Sequence, residues 1–341
     1  MEVDPTASFA PPPAARPHEL AHGAIDGDLP ITPEELDHWA TLTGKLLDHR
    51  YQVGRRLGEG GMSYVYRAQD VENGTAVAVK ILLPRLSRDP AAVERLRREA
   101  TIATRLSHPN VCPILRMGEA DRMIYLVMPY LEGEPLSEHE TRRGPFPLTE
   151  AIPLLVQMCQ GLQHAHDLQV VHRDLKPENV MLVPDGASDT GEPRYQAVVM
   201  DFGLAKERRA GPEVAKLTAT GIVLGTPEFM SPEQIRGKPL DARSDIYALG
   251  IVAFEMFTGK LPFTGRNAQE MMIARLRGQP TPIRQLRADT PPAVEKALTK
   301  ALQTNPDDRY MTAIEFAEAL TGGGGESSGG GLFGKLREKF K

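Results

Sequence analysis

The pattern of apolar residues changes near Pro129, and this change constrains the fold more than any other feature of the sequence. Before it, short apolar or alternating runs predict strands over residues 51–57, 64–67, 77–82, 112–117 and 124–128. One helical pattern, over residues 91–106, interrupts them. After it, helical spacing predicts helices over residues 149–166, 244–258, 268–277, 293–302 and 313–320. Strands followed by helices are typical of an α+β fold with two lobes, here residues 51–130 and 131–320.

Two segments precede the strands. Residues 1–30 are rich in Pro and Ala and have no apolar periodicity, so we expect them to be disordered. The next residues include Thr32, Pro33 and Glu35, which together form a helix start signal. Apolar residues then follow at helical spacing, at Leu36, Trp39, Leu42 and Leu46. We therefore expect an amphipathic helix over residues 31–50 that packs on the first lobe, with partner docking as the alternative.

The chain ends in a Gly/Ser linker over residues 321–331 and a basic tail over residues 332–341. Phe333, Leu336 and Phe340 would share one face if the tail were helical. A segment this short without an acyl chain binds weakly, so we expect a solvated tail. Weak contact with an anionic membrane surface or a partner groove is the alternative.

The overall composition argues against several classes of protein. A formal net charge of -5 is not that of a general nucleic-acid binder, which would normally be basic. The two cysteines, Cys112 and Cys159, have no metal-ligand spacing and fit buried thiols in a reducing compartment. No apolar run approaches the roughly 18 residues that cross a bilayer, and the N-terminus lacks a signal-peptide pattern. We therefore expect a cytoplasmic protein.

Two motifs in the second predicted lobe carry the chemistry. Residues 172–179 read His-Arg-Asp-Leu-Lys-Pro-Glu-Asn, and Asp-Phe-Gly follows at residues 201–203, after an apolar run. Together they supply a carboxylate for a hydroxyl proton, a cation for a phosphate and two oxygen ligands for magnesium. These are the parts that move a phosphoryl group from ATP to an alcohol.

On these motifs the chain resembles the eukaryotic-like (Hanks-type) serine/threonine protein kinases, over about residues 51–320. Met-Ser-Pro-Glu-Gln at residues 230–234 and the compact size look like the bacterial members of that family. The resemblance implies a two-lobed protein kinase-like fold, with a small antiparallel β-sheet lobe that contains one helix and a larger, mainly helical lobe. It also implies ATP and Mg²⁺ as cofactors and Ser or Thr hydroxyls of proteins as acceptors.

The resemblance assigns roles within the catalytic motifs. Asp174 would orient the acceptor hydroxyl and accept its proton, and Lys176 would reach the γ-phosphate. Asn179 and Asp201 would be the magnesium ligands. A lysine two residues after the aspartate is the version found in the serine/threonine branch of the family.

Lys80 ends a Val-Ala-Val-Lys run, where a buried lysine is costly unless it meets anions. In the family, the partners of this lysine are the α- and β-phosphates of ATP and a helix carboxylate, here Glu99. Phe202 would pack under the helix that carries Glu99. The alternatives are a surface lysine on an edge strand and a solvated glutamate.

A glycine-rich turn after the first strand would hold the nucleotide. Glycine lets backbone amides approach phosphate oxygens, where any Cβ would collide. The predicted nucleotide-binding residues are Leu57, Gly58, Gly60, Gly61, Val65, Ala78 and Lys80. Ser63 stands where the family has its third glycine, which should stiffen the turn slightly. The turn alone is a weak signal, because glycine-rich turns are common in hairpins.

Further matches to the family suggest structural and regulatory roles. Residues 225–233 resemble the substrate-contact loop and the end of the activation segment. Glu233 would pair with Arg309 in a buried bridge, and Asp245 would brace the backbone of the catalytic loop. Arg173 would bind a phosphorylated residue of the activation loop and so order that loop.

Thr218 and Thr220 are the candidate sites of self-phosphorylation. The alternative is that both are ordinary polar loop residues.

We expect a serine/threonine protein kinase, and two other functions stay open. The first is a nucleotide-binding pseudokinase that acts as a scaffold or adaptor through its two tails. Such a scaffold would have no need for a full polar set: Lys80, Glu99, Asp174, Asn179 and Asp201. The second is an enzyme that phosphorylates a small-molecule hydroxyl, and the resemblance of residues 225–233 to a protein-substrate loop argues against it.

Overall fold

The structure, a computed structural model, describes residues 42–60, 63–82, 94, 100–101, 103–120, 123–187, 191, 193–202 and 227–322. The strands are β1 Leu46–Leu47, β2 Tyr51–Gly60, β3 Ser63–Asp70, β4 Ala76–Leu82, β5 Arg116–Ala120, β6 Met123–Pro129, β7 Glu134–Pro135, β8 Val180–Ala187 and β9 Pro193–Val199. The helices are α1 Leu136–Arg143, α2 Leu148–Asp167, α3 Pro232–Ile235, α4 Ala242–Thr258, α5 Ala268–Arg277, α6 Ile283–Leu286, α7 Pro292–Ala301 and α8 Ala313–Leu320. A strand-rich part thus precedes a helix-rich part, which confirms the predicted α+β, two-lobed arrangement.

The larger sheet has the strand order β1-β2-β3-β4-β6-β5, and each neighbouring pair is antiparallel. Successive side chains of a strand point to opposite faces of the sheet. Val77 and Ile81 of β4 therefore pack in one apolar cluster, whereas Ala78 and Leu82 pack in the main core, which continues into the helical lobe. By the same alternation, β4 directs Lys80 toward the helical lobe.

The helix predicted over residues 31–50 is wrong in its described part, because Leu46–Leu47 forms β1 and pairs with the start of β2. Three residues have positive φ angles that a right-handed helix excludes: Gly44, Asp48 and His49. As a result Leu47 is buried, while Leu46, which we placed on the apolar helix face, is 45% exposed. Residues 31–41 lie outside the described part.

The helical lobe is built around α2 and α4. Helix α4 is buried along most of its length, and α2 packs against α4, α8 and β9. The five helices predicted after Pro129 are confirmed, with ends that differ by two residues or fewer. Helix α1 was not predicted, because its sequence is polar and buries only Leu136 and His139. No helix in the described ranges is both long and apolar enough to cross a membrane.

Two other predicted boundaries differ from those in the structure. The strand predicted over residues 112–117 begins only at Arg116, and the loop predicted over residues 184–193 is shorter, because Ala187 of β8 still pairs with Pro193 of β9. Of the helix predicted over residues 91–106, the described residues Glu94, Ala100, Thr101 and Ala103 are helical, whereas residues 104–106 are not. The predicted tails over residues 1–30 and 332–341 lie outside the described residues.

Candidate active site

The open end of the β8–β9 hairpin brings the two catalytic motifs together. Val180 at the start of β8 pairs with Val199 at the end of β9. The register continues one residue further, since the Met200 amide donates to the Asn179 carbonyl at 2.8 Å. Asn179 and Asp201 are therefore neighbours in space, although a whole hairpin separates them in sequence.

The side chain of Asn179 closes the catalytic loop on itself. Its Nδ2 donates to the backbone carbonyl of Asp174 at 2.7 Å. Because the amide nitrogen is engaged in this bond, the amide oxygen is the atom left for a cation.

The chemistry of Asn179 and Asp201 fits magnesium. An amide oxygen and a carboxylate are hard donors, and Mg²⁺ is usually bound through one or two such groups plus substrate phosphates and water. Within the described ranges, no cluster of three or more His, Cys, Asp or Glu could hold a metal.

Lys80 and Asp201 form an ion pair that joins the strand lobe to the hairpin. Lys80 Nζ lies 2.8 Å from Asp201 Oδ1, and the side chains are 13% and 30% exposed. Burial alone would raise the pKa of the Asp201 carboxyl, but the charge and hydrogen bond of Lys80, helped by His172 and Lys176, hold this pKa below its ordinary value. Lys80 thus contacts an anion that was not its predicted partner, and the predicted carboxylate partner, Glu99, lies outside the described residues.

Asp174 and Lys176 lie next to each other at the same site. Lys176 Nζ is 3.9 Å from Asp174 Oδ2, and both side chains are partly exposed. A carboxylate and an ammonium are therefore both accessible from solvent beside the Asn179–Asp201 pair. This arrangement can accept a proton and offset negative charge at one place.

Asp245 braces the backbone of the catalytic loop, as predicted. Its carboxylate accepts hydrogen bonds from the backbone amides of His172 at 2.7 Å and Arg173 at 2.9 Å. Arg173 has a φ of 67° and Asp201 a φ of 60°, a region that costs energy for residues other than glycine. The hydrogen bonds of Asp245 help to hold the first of these strained positions.

Sequence reasoning missed two histidines that support the site. His172 is buried, its Nε2 lies 2.7 Å from the Met200 carbonyl, and its ring packs edge-on against Phe202. His166, near the end of α2, places its Nε2 2.8 Å from Asp245. The only signal for His172 is its position at the head of the motif, and nothing local marks His166.

The glycine-rich turn lies against the lysine strand. Gly58 pairs with Val65 across β2 and β3, and Val65 pairs with Lys80 across β3 and β4. Three of the predicted nucleotide-binding residues therefore share one row of the sheet. Gly60 ends β2, and Gly61 lies outside the described residues.

The three apolar residues in the predicted nucleotide-binding set differ in burial. Ala78 is buried, Val65 is half-buried against the main core, and Leu57 is exposed. Phe202 lines a small cavity together with Ala103 and Leu106, at the end of the predicted helix that contains Glu99. Phe202 therefore lies near the end of that predicted helix, while Glu99 itself lies outside the described residues.

Both cysteines are buried free thiols, as the sequence predicted. Cys112 lines the same cavity as Phe202. Burial, with a smaller contribution from the charge of Asp201, raises the pKa of the Cys112 thiol to about 12. The thiol is therefore protonated at neutral pH and plays no part in the chemistry described above.

A family model described as "Protein kinase domain" matches residues 51–319. The probable serine/threonine-protein kinase PknB of Corynebacterium glutamicum is 40% identical over 80% of this chain and 42% of its own length. The serine/threonine-protein kinase PrkC of Bacillus subtilis is 39% identical over 80% of this chain and 40% of its own length. The chain thus spans less than half the length of these curated relatives.

Solved structures support the protein kinase fold as well. The crystal structure of the Mycobacterium tuberculosis PknI kinase domain is 27% identical, with a TM-score of 0.63, and covers 82% of this chain and 98% of that chain. The fold of this chain therefore matches that of a known kinase domain. The chain belongs to the protein kinase family, as a Hanks-type member of the bacterial serine/threonine kind.

Proposed function

We propose that this chain transfers the γ-phosphoryl group of ATP, with Mg²⁺, to serine or threonine hydroxyls of proteins. The observation that carries the proposal is the 2.8 Å ion pair between Lys80 and Asp201, which places a cation from the strand lobe beside the predicted metal ligands. The similarity to relatives named serine/threonine-protein kinases supports it.

Each residue of the site has a role that follows from its chemistry. Bound Mg²⁺ would neutralise charge on the phosphates of ATP. Asn179 and Asp201 would hold the ion, and Lys80 would face the α- and β-phosphates while it keeps Asp201 ionised. Asp174 would orient the acceptor hydroxyl and take its proton, and Lys176 would offset charge on the transferred group.

A nucleotide-binding pseudokinase is the second candidate. It would need residues that hold ATP, such as Lys80 and Asp201, but no base for an acceptor hydroxyl. Asp174 is partly exposed and lies 3.9 Å from Lys176, so a carboxylate that can take a hydroxyl proton lies beside a cation that can offset phosphate charge. This pair favours the enzyme over the scaffold.

The test uses the full chain with Mg²⁺ and γ-labelled ATP, alone and with myelin basic protein as a generic acceptor. We expect label on Ser or Thr, and a loss of about 100-fold or more in Asp174→Asn. The matched control is Asp185→Asn, the same change at an exposed position of β8, which should transfer at the wild-type rate. Wild-type protein that binds ATP and labels neither itself nor the acceptor would support the pseudokinase.

We also propose that phosphorylation of Thr218 or Thr220 activates the chain. Arg173 supports this, because its Nε is buried and has no hydrogen-bond partner in the described part of the chain. A phosphate would supply the charge-assisted bond that this group lacks. We expect mass spectrometry to find phosphate on one of these threonines. The double variant Thr218→Ala, Thr220→Ala should label the acceptor more slowly than the wild type. Equal labelling rates in the two proteins would exclude the proposal.

The contact of the basic tail over residues 332–341 with an anionic surface, and the cytoplasmic location, also stay proposals. Deletion of residues 322–341 tests the tail by sedimentation with anionic vesicles. Unchanged partitioning would exclude the membrane contact, and a partner groove would then be the occupant to seek.

A further inference from the structure

Arg275 is an unusual residue in this lobe, because it is a cation with only 1% of its surface exposed. It lies in the last turns of α5. Within the described part of the chain, its guanidinium forms no ion pair with a carboxylate. It donates instead to two backbone carbonyls, those of Pro227 and of Glu228, the latter at 2.6 Å.

The two carbonyls belong to the segment that resembles the substrate-contact loop. Residues 227–229 form a 3₁₀ turn, and α3 begins three residues later. Helix α5 packs against both the turn and α3. Arg275 therefore fixes the direction of the backbone at the start of this segment.

The other end of the same segment is bonded to the catalytic loop. Gln234 Nε2 donates to the Arg173 carbonyl at 2.7 Å, and Arg173 directly precedes Asp174. Gln234 also forms a capping box with Ser231, since its side chain accepts from the Ser231 amide at 2.8 Å. Residues 227–234 are thus held by α5 at one end and by the catalytic loop at the other.

Packing alone does not account for a cation at this position. Burial lowers the pKa of Arg275, which means that the charged form is costly here. Its Nε, the hydroxyl of Tyr247 and one carboxylate oxygen of Glu228 are buried and have no hydrogen-bond partner in the described part of the chain. An apolar side chain of similar volume usually fills such a space at lower cost. An apolar residue, however, has no hydrogen-bond donors and could not orient the two carbonyls.

We infer that Arg275 is a positioning residue for the acceptor protein. It holds the backbone of residues 227–230 in the orientation that presents the acceptor hydroxyl to Asp174, and it acts through that segment without contact to ATP. This inference rests on the proposed kinase function.

The first test is steady-state kinetics of Arg275→Met and Arg275→Lys, with ATP and myelin basic protein varied separately. We expect Arg275→Met to raise the KM for the acceptor by about tenfold and to leave the KM for ATP within about twofold. Arg275→Lys should recover part of the loss, because an ammonium can still donate to a carbonyl. The matched control is Arg277→Met, an exposed position of the same helix, which should behave as wild type.

A second test asks whether Arg275 acts through residues 227–234. Gln234→Glu removes the donor to the Arg173 carbonyl and keeps an acceptor for the Ser231 amide. Because both contacts orient one segment, the double variant should raise the acceptor KM by less than the product of the two single effects. Hydrogen exchange of the backbone amides over residues 227–236 should also be faster in Arg275→Met than in Arg277→Met.

Three outcomes would overturn the inference. The first is an acceptor KM in Arg275→Met equal to that of Arg277→Met, and the second is unchanged amide exchange over residues 227–236. The third is a rise of the KM for ATP together with the KM for the acceptor in Arg275→Met, with a lower Tm and no recovery in Arg275→Lys. That result would show a purely structural role. If wild-type protein transfers no phosphate, the proposed function fails, and the exchange experiment still tests whether Arg275 holds the segment.

Discussion

Glu233 and Arg309 are 76 residues apart in the sequence and form a bidentate ion pair inside the helical lobe. The two guanidinium nitrogens donate to the two carboxylate oxygens at 2.7 and 2.8 Å, and the side chains are 6% and 0% exposed. Ser244 donates to the same carboxylate at 2.6 Å, and Arg309 also donates to the carbonyls of Gln303 and Thr304. The pair confirms the predicted bridge and ties α3 to the start of α4 and to the segment before α8.

The first prediction concerns this pair. Arg309→Met should lower the free energy of unfolding by about 3–5 kcal/mol, because it leaves the Glu233 carboxylate buried without its cation. Urea denaturation at pH 7 measures the loss. Glu233→Gln together with Arg309→Met should cost less than the sum of the two single variants, since no charge then remains unpaired.

The control is an exposed ion pair of the same lobe. Arg243 Nη1 lies 2.6 Å from Asp307, whose side chain is 78% exposed. Asp307→Asn should therefore cost about 0–1 kcal/mol. A loss in Arg309→Met no larger than that in Asp307→Asn would contradict the prediction.

Much of the site could be predicted because its signals are local. Asp174 and Asn179 belong to one short string, and the antiparallel pairing of β8 with β9 then requires Asp201 to lie beside Asn179. Lys80 is different, because alternation along β4 predicts its face but not its partner. The sequence could connect Lys80 with Asp201 only through the resemblance to a known family.

Other features could not be predicted, because distant contacts decide them. The helix start signal at Thr32 suggested a helix through Leu46, yet pairing with β2 and a left-handed turn at Asp48 make β1 there. Arg275 in the last turn of a helix is typical of a solvated cation that stabilises the helix end. Only the packing of α5 on residues 227–229 turns it inward.

The second prediction concerns Asp245. Its carboxylate accepts from the His172 and Arg173 amides and lies 2.8 Å from His166 Nε2, so Asp245→Asn replaces a charged acceptor by a neutral one. We expect a loss of about 1.5–3 kcal/mol in the free energy of unfolding, together with a lower kcat, because the backbone before Asp174 is less firmly held.

Asp241→Asn is the matched control, since Asp241 caps the same helix at the surface and asparagine is also a good cap. It should cost about 0–1 kcal/mol and leave kcat unchanged. Unfolding energies and kcat that agree between the two variants would exclude a special role for Asp245.

The third prediction uses the pKa of Asp201. In the wild type, Lys80 holds this pKa below its ordinary value against the effect of burial. Lys80→Met removes the cation and leaves the burial, so the pKa rises and the ionised, metal-binding form is lost at a higher pH. The acid limb of kcat/KM for ATP should therefore move to a higher pH by at least about one unit. The value of kcat itself should be about 10²–10³ times lower than in the wild type.

Lys80→Arg keeps the positive charge and serves as the control. Its rate should fall because the geometry changes, but its acid limb should stay near that of the wild type. A common acid limb in all three proteins would show that Lys80 does not set the ionisation of Asp201.

The fourth prediction concerns two glutamates of the helical lobe that the mechanism does not use. Glu140 of α1 and Glu255 of α4 each have a buried carboxylate oxygen without a hydrogen-bond partner in the described residues. Burial and the charges of Glu255 and Glu178 raise the pKa of Glu140 to about 8. Burial and the charges of Glu178 and Glu228 raise the pKa of Glu255 to about 7.

A raised folded-state pKa means that the folded protein binds the proton more tightly than the unfolded chain does. The resulting stabilisation is full below the ordinary glutamate pKa near 4.5 and is lost as the pH rises through about 8 for Glu140. Glu140→Gln removes this dependence, so it should stabilise the protein at pH 9 by about 1 kcal/mol or more and have little effect at pH 4.5. Glu138→Gln, an exposed change on the same helix, should have little effect at either pH. Thermal unfolding of the three proteins at both pH values tests this prediction. If the Tm of Glu140→Gln differs from that of the wild type by the same amount at pH 4.5 and at pH 9, Glu140 ionises normally in the folded protein.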